Sequence, residues 1–205
     1  TQKLAGIVRQ AGRESEADQL TWQAHALIRS LVDDVSDPIF RDALADSGTN
    51  LAQLFWSQGR LEEARQALQE SMLIAEKLVR ECPDQSEEPL YARTVSACAS
   101  SLAGLLAEFY EPDQAVQQLR KAVTVQEQLL MRLPDLFYLG GELAAFQSGL
   151  ARLYRQTDRT NEVGDLLDRA LDLREQLGHE HPGVLNYSDA VASVRCARSY
   201  HFAAA

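Results

Sequence analysis

Cysteine and lysine are both scarce in this sequence, with three residues of each among 205. The cysteines are far apart and odd in number, at Cys82, Cys98 and Cys196. They therefore form neither a disulfide framework nor a set of zinc ligands with the usual spacing. Disulfide bonds form in oxidising compartments and are rare in the cytosol. The cysteine content thus favours a cytoplasmic protein.

A basic surface and long apolar runs are also missing. The formal net charge is −10, whereas a nucleic-acid-binding domain needs a stripe of Lys and Arg. The arginines are instead scattered among acidic residues at helical spacing. No apolar run approaches the ~20 residues of a membrane-spanning helix, and the first residues do not read as a signal segment. The sequence predicts neither a nucleic-acid partner nor a membrane span.

Catalytic motifs are absent as well. The sequence contains no kinase glycine-rich loop, HRD or DFG motif, no P-loop, and neither GxSxG nor HExxH. His179 and His181 could be read as a metal pair, but two ligands without a third nearby fit a polar turn better. Cys98 and Cys196 are expected to be buried small hydrophobic residues rather than nucleophiles. We therefore predict a protein that is not an enzyme and has no cofactor or metal.

What the sequence does contain is a repeat of 47 to 51 residues. Four segments align at a leading leucine, at Leu4, Leu51, Leu102 and Leu150. Alanine follows each of these leucines, and the thirteenth residue after each is small or β-branched: Ala17, Ala64, Ala115 and Val163. A period in this range is typical of stacked helical repeats.

Each copy reads as two helices joined by a short turn. Apolar residues recur with a 3.6-residue period on both sides of a polar break. Gly12 and Gly59 occupy the break in two copies, where glycine tolerates the positive φ that ends a helix. Pro112 suits a first helical turn in the third copy, and Thr160 is the expected N-cap in the fourth.

Small residues predict how the two helices of a copy pack. Ala52 and Ala64 lie about one turn on either side of the break, where only small side chains allow the ~8–10 Å separation of packed helices. One hairpin leaves an apolar face uncovered, so successive copies must stack. In the first copy we expect Trp22, Leu27 and Leu31 to face inward.

The repeat resembles the tetratricopeptide repeat (TPR). The residues that match its pattern are Leu51, Ala52, Phe55, Gly59, Ala64 and Leu68. The usual period of that family is 34 residues, and the excess here lies mostly in a longer second helix. Long-period repeats in which an aromatic residue opens the next helix resemble the region after the kinase domain of planctomycete-type bacterial serine/threonine protein kinases; those residues are Phe40, Tyr91, Tyr138 and Tyr187. The fragment LGHEHPGV at 177–184 is similar to the repeats of kinesin light chains.

The resemblance implies an all-α fold, a right-handed α-α superhelix of the TPR-like solenoid type. We expect about nine antiparallel helices, in four pairs plus the first helix of a fifth, forming a single domain over residues 1–205. The repeats are predicted at 1–36, 37–86, 87–135 and 136–183, with a partial copy at 184–205. The last helix, 185–202, should bury Val191 and Phe202. The chain begins and ends inside predicted helices, so we expect it to be part of a longer protein.

The helix boundaries follow from the same pattern. The nine helices are predicted over residues 1–11, 13–33, 38–57, 61–81, 89–108, 112–131, 136–155, 160–177 and 185–202. Asp37 should cap the third of these, with Pro38 in its first turn.

The resemblance also implies a binding surface rather than an active site. In stacked TPR arrays the first helix of each pair lines a concave groove for a peptide or partner protein. By position, the groove residues here would be Arg9, Asn50, Gln53, Trp56, Arg152, Arg155 and Gln156. Trp56 has two interpretations, as a contact anchor or as packing against the next repeat. Arg152 and Arg155 would make one part of the groove positive, which favours an acidic segment.

Two functional hypotheses follow. The first is a non-catalytic scaffold for protein–protein interaction, from a bacterial signalling protein. The alternative is the interaction or regulatory segment of a bacterial serine/threonine protein kinase whose catalytic domain lies outside this chain. A glycine-rich loop and an HRD motif upstream would distinguish the two.

Overall fold

The computed structural model describes residues 8, 12–34, 37–82, 88–157, 159–181 and 186–203. Within these ranges the chain forms eight α-helices and no strand. Their bounds are α1 Glu14–Asp34, α2 Pro38–Ser57, α3 Leu61–Glu81, α4 Glu88–Glu108, α5 Pro112–Arg132, α6 Phe137–Gln156, α7 Val163–Glu180 and α8 Asn186–Ala203. A short 3₁₀ turn, Thr160–Glu162, leads into α7. The predicted helix over 1–11 falls, apart from Val8, outside the described residues.

The helices recur at the intervals of the sequence repeat. α1, α3 and α5 begin at residues 14, 61 and 112, and the 3₁₀ turn before α7 begins at residue 160, so these starts are 47, 51 and 48 residues apart. The leading leucines have the same spacing. The structure thus confirms an all-α, TPR-like repeat fold. We call α2, α4, α6 and α8 the A helices, the first of each pair, and α1, α3, α5 and α7 the B helices.

The chain divides into two compact units, Thr1–Leu105 and Leu106–Ala205. In unit 1, α2 packs against both α1 and α3. In unit 2, α6 packs against α5 and α7, and α8 packs against α7. In each unit, therefore, an A helix packs between the two B helices that flank it in sequence. The expectation of a single continuous domain over 1–205 stays a prediction.

Columns of small residues form the contacts between paired helices. The alanine after each leading leucine is 1% exposed in the three described copies, at Ala52, Ala103 and Ala151. The small residue on the facing helix is fully buried in all four copies, at Ala17, Ala64, Ala115 and Val163. A larger side chain at either position would push the two backbones apart. The predicted burial of these small residues is confirmed in the copies that the structure describes.

The turns between paired helices reach a left-handed conformation in two different ways. Gly12 and Gly59 have φ of +75° and +73°, as expected for glycine that ends a helix. In the third copy the left-handed residue is Tyr110, with φ of 58°, and Pro112 follows as the first residue of α5. The side chain of Tyr110 is 92% exposed, so the turn costs no buried contact.

The predicted caps were right at one helix and wrong at another. Asp37 caps α2 by accepting a hydrogen bond from the Ile39 amide at 2.9 Å. Thr160 does not cap α7, because it is already the first residue of the 3₁₀ turn. The fourth copy thus begins with a 3₁₀ turn and has no side-chain cap.

The inward face predicted for α1 was wrong. Trp22, Leu27 and Leu31 are 41%, 57% and 36% exposed. The buried residues of α1 are instead small ones, Ala17, Thr21 and Ala24. Their spacing of four and three residues continues toward the partly buried Ile28 and Val32, so the true stripe lies one residue beyond the predicted leucines.

One helix is more apolar than the sequence reading allowed. Residues Pro89–Glu108 have the length and mean hydropathy, 1.2, of a membrane-spanning segment, and 56% of that segment is buried within the protein. Its buried side chains include Tyr91, Val95, Cys98 and Leu102. Composition of this kind is typical of a core helix.

Candidate functional site

The predicted binding residues lie on A helices. Gln53, Arg152 and Gln156 are exposed, whereas Asn50, Trp56 and Arg155 are partly buried. Arg9 lies outside the described residues. Asn50 makes a local contact, because its Nδ2 donates to the Asp46 carbonyl oxygen at 3.0 Å. The structure thus divides the predicted set between α2 in unit 1 and α6 in unit 2, and each group is considered by itself.

Trp56 packs against the next repeat. A Cβ placed on Gly104 of α4 would lie 2.8 Å from Cη2 of the Trp56 indole, a distance that carbon atoms do not tolerate. Glycine at position 104 therefore makes room for the ring. One face of the indole packs against α4, as the packing interpretation predicted. The ring remains only partly buried.

Arg152 and Arg155 lie three residues apart on α6, so they share one face of the helix. The Arg155 guanidinium carbon is 5.9 Å from the centroid of the Tyr200 ring on α8, within the range of a cation–π contact. Arg152 forms no ion pair or hydrogen bond with any residue in the described part of the chain. This face of unit 2 is therefore cationic.

On α2, two acidic residues, Asp42 and Asp46, lie on the same face as Asn50. They were not identified from the sequence. Asp42 accepts a hydrogen bond from Thr94 Oγ1 at 2.8 Å. Burial raises the pKa of the Asp42 carboxyl, and the Thr94 bond offsets part of the rise. Burial also raises the pKa of Asp46. The signal was present, because Asp42, Asp46 and Asn50 recur every four residues along one face of a helix.

Neither the histidines nor the cysteines assemble into a reactive group. Among the described residues no three His, Cys, Asp or Glu side chains come close enough to hold a metal ion. The His181 ring lies against Phe137, with centroids 4.2 Å apart. Cys98 is buried beside Thr49, 3.2 Å from Sγ to Oγ1. These contacts are structural.

Cys196 is exposed, so the expectation that it would be buried was wrong. α8 meets α7 through Val194, which is buried, and through the Arg198–Asp168 ion pair. Cys196 is two residues from Val194, about 200° around the helix, and therefore faces away from α7. Val191, predicted to be core, is only partly buried, and the side chain of Phe202 lies outside the described residues.

Comparison with known proteins agrees with this geometry. Residues 44–81 and 95–130 match the family model of the tetratricopeptide repeat. No curated protein matches the sequence significantly. Among solved structures, BtubC (BKLC) from P. vanneervenii is 16% identical with a TM-score of 0.56, and the match covers 98% of this chain and 81% of that one. A kinesin-light-chain-like protein from Podosopora anserina with nearly identical TPR-like repeats is 20% identical with a TM-score of 0.58, covering 95% and 92%.

Stacked helix pairs of this kind define a helical-repeat protein. Residues 44–81 and 95–130 of this chain are similar to tetratricopeptide repeats, and the fold is similar to that of proteins with TPR-like repeats. Proteins built from such repeats generally act as scaffolds for protein–protein interaction and are typically not enzymes.

Proposed function

We propose that this chain is a non-catalytic scaffold that binds a peptide or partner protein on the exposed faces of its A helices. The observation that supports the proposal most directly is the state of Arg152. Most arginines of the chain have an acidic partner, and Arg152 has none among the described residues. A guanidinium without an internal partner is available to a carboxylate from outside.

The contrast with the other arginines gives this observation its weight. The chain has 30 acidic and 20 basic residues, so acids are plentiful. Among the described residues, ten arginines lie within 4.0 Å of an acidic side chain: Arg13, Arg29, Arg41, Arg60, Arg80, Arg120, Arg159, Arg169, Arg195 and Arg198. Against that background, an exposed Arg152 beside Arg155 is a distinctive surface feature.

The proposed partner segment is acidic. Two guanidiniums about one helical turn apart can each pair with a carboxylate, and paired contacts of this kind give orientation as well as affinity. The contacts are solvent-exposed, so they should weaken as salt rises. Asn50, Gln53 and Gln156 would supply neutral hydrogen-bonding groups on the A-helix faces of their own units.

The test is charge reversal against a matched control. A fluorescent peptide of alternating Glu and Ala should bind the chain, and Arg152→Glu with Arg155→Glu should weaken binding at least about tenfold, since each pair contributes up to ~1 kcal/mol and reversal adds repulsion. Lys77→Glu with Arg80→Glu makes the same change in net charge on the exposed side of α3 and should alter affinity much less. Equal losses in the two variants, or no loss in the first, would contradict the proposal.

The wider context is also proposed. The resemblance of the long-period repeats to those of bacterial serine/threonine protein kinases supports a place in a kinase-containing signalling protein. Translation of the gene upstream of these repeats tests this, because a glycine-rich loop and an HRD motif are required. We also propose that the domain resides in the cytoplasm, in keeping with three free cysteines. Fractionation of the source cells would test that placement.

A further inference from the structure

Unit 1 contains a cleft on its B-helix side, between α1 and α3 and over α2. Its volume is about 250 Å³. The side chains that give it chemical character are Trp22, His25, Arg29, Phe55, Glu70 and Ser71. None of these is among the residues assigned above to the A-helix faces, so the cleft is a separate surface.

Two positions on the walls of the cleft carry small residues. Gly48 and Ala67 line it. The residues 99 positions later, at the equivalent places in unit 2, are Gln147 and Leu166, and both are buried. Gly48 cannot readily be larger, because an added Cβ would lie 2.3 Å from Ser71 Oγ. Gly48 therefore lets α2 and α3 pack closely, and the short side chain of Ala67 leaves room in the cleft.

The walls of the cleft combine aromatic and polar side chains. The Trp22 and Phe55 rings meet edge to face, with centroids 5.3 Å apart, and Trp22 is 41% exposed. His25 Nδ1 is 3.0 Å from Ser47 Oγ, which leaves Nε2 for a second hydrogen bond. Burial, followed by the positive charge of Arg29, lowers the pKa of His25, so the imidazole is neutral near pH 7.

The charges around the cleft are already matched. Arg29 is 3.4 Å from Glu70, and Glu63 pairs with Arg60. An ionised group entering the cleft would have to break one of these pairs. Charge complementarity thus favours a neutral occupant with a polar atom.

The size of the cleft also limits which group can occupy it. Small-molecule pockets are commonly ~300–1,000 Å³, whereas this cleft holds about 250 Å³ and is open to solvent. It fits one large side chain. Tyrosine combines an aromatic ring, which prefers edge-to-face contact with other rings, with a single neutral hydroxyl.

We propose that the cleft of unit 1 anchors a tyrosine side chain of a partner protein. The ring lies against the exposed Trp22, and the hydroxyl reaches His25, whose Nδ1 is held by the Ser47 hydroxyl. Aromatic anchors in such pockets carry much of the affinity of protein interfaces. The chain then has a contact surface on its B helices in addition to its A helices.

The experiment titrates the whole chain with N-acetyl-tyrosinamide and follows the indole N–H of Trp22 by NMR. We expect a saturable shift with a Kd of about millimolar order, as befits a single side chain. Ala67→Leu copies Leu166 of unit 2 and should weaken binding at least about tenfold by filling the cleft. Ala145→Leu makes the same substitution on the exposed side of α6 and should leave the titration unchanged.

Several outcomes would overturn the proposal. Absence of a saturable Trp22 shift would do so, as would an unchanged titration of Ala67→Leu. N-acetyl-leucinamide or N-acetyl-argininamide binding as tightly as the tyrosine compound would refute the choice of occupant. If circular dichroism shows that Ala67→Leu does not fold, Trp22→Gln takes its place, with the His25 ring protons as reporter. Retained binding in that variant would also overturn the proposal.

Discussion

The B-helix sides of the two units share one backbone arrangement but differ in the side chains that bridge the helices. In unit 1 the bridge from α1 to α2 is aromatic, Trp22 against Phe55. At the equivalent place in unit 2, Arg120 lies over the Tyr154 ring at 5.2 Å and donates a hydrogen bond from Nε to its hydroxyl. The same contact is thus apolar in one unit and polar in the other.

The ion pairs show a similar exchange. In unit 1, Arg29 on α1 pairs with Glu70 on α3. At the equivalent positions in unit 2 the charges are exchanged, with the acid Glu127 on α5 and Arg169 on α7. The buried columns of small residues stay buried in both units, with Val163 in unit 2 at the position of Ala64. The comparison teaches that small residues set the helix separation, so the outer contacts are free to vary in polarity.

The largest effect is expected where the two units are alike. Ala64→Arg in unit 1 or Ala115→Arg in unit 2 would place a charged side chain at a position of zero exposure. Overpacking costs about 1–3 kcal/mol, and burying an unpaired charge costs several more, so either variant should lose most of its helical signal near 37 °C. Gln69→Arg, on the exposed side of α3, is the control. An unchanged melting temperature in Ala64→Arg would refute the repeat alignment.

The second largest effect is expected at position 48, where the two units carry different residues. Gly48→Gln gives unit 1 the residue of unit 2, but its Cβ would meet Ser71 Oγ, so we expect a loss of about 1–3 kcal/mol in the free energy of unfolding. Ser71→Ala copies Ala170 and should recover part of the loss in the double variant. Denaturant unfolding of both single variants and the double variant gives the coupling energy. A coupling energy of zero would mean that the two positions do not compete for space.

A smaller effect is expected from removing one polar atom. Tyr154→Phe gives unit 2 the residue that unit 1 has at Phe55, and it removes the hydroxyl that accepts from Arg120. Loss of such a hydrogen bond costs about 1 kcal/mol. Chemical denaturation should show this loss in Tyr154→Phe. When Arg120 has already been changed to Ala, adding Tyr154→Phe should lower the free energy of unfolding by much less. A more stable Tyr154→Phe would contradict the role assigned to the hydroxyl.

The smallest effect concerns pH. The raised pKa of Asp42 means that the folded state holds this proton more tightly than the unfolded state does. The group therefore adds stability below its unfolded pKa of about 3.9 and withdraws it as pH rises through the raised folded value. The free energy of unfolding of Asp42→Asn, relative to that of the native chain, should therefore be higher at about pH 7 than at about pH 4.

The comparison between units supplies the control for that measurement. Unit 2 has Gly141 at the position equivalent to Asp42, so hydrogen exchange of α2 amides should respond to the substitution and exchange of α6 amides should not. An equal change in both helices would show that the effect is global rather than due to this carboxyl.

Features that depend on one helix and its turn could be read from the sequence. The alanine columns, the bounds of α2 and α3, and the glycine turns follow from periodicity and backbone preference. The fourth-copy turn was missed because the 3₁₀ segment before α7 has no distinct sequence signal. The cleft was missed because it depends on how α1, α2 and α3 pack around the short side chain of Ala67, which the periodicity of a single helix does not show. The orientation of Trp22 likewise depends on where Phe55 lies.

The fit of Trp56 over Gly104 has a consequence for how the protein unfolds. The indole belongs to the second repeat and the space it fills belongs to the third, so neither repeat keeps its native surface when the other melts. We expect these two repeats to behave as one cooperative block, with amides of α2 and α4 opening together in hydrogen exchange. A protease that cuts between them would then separate the chain into pieces less stable than the block.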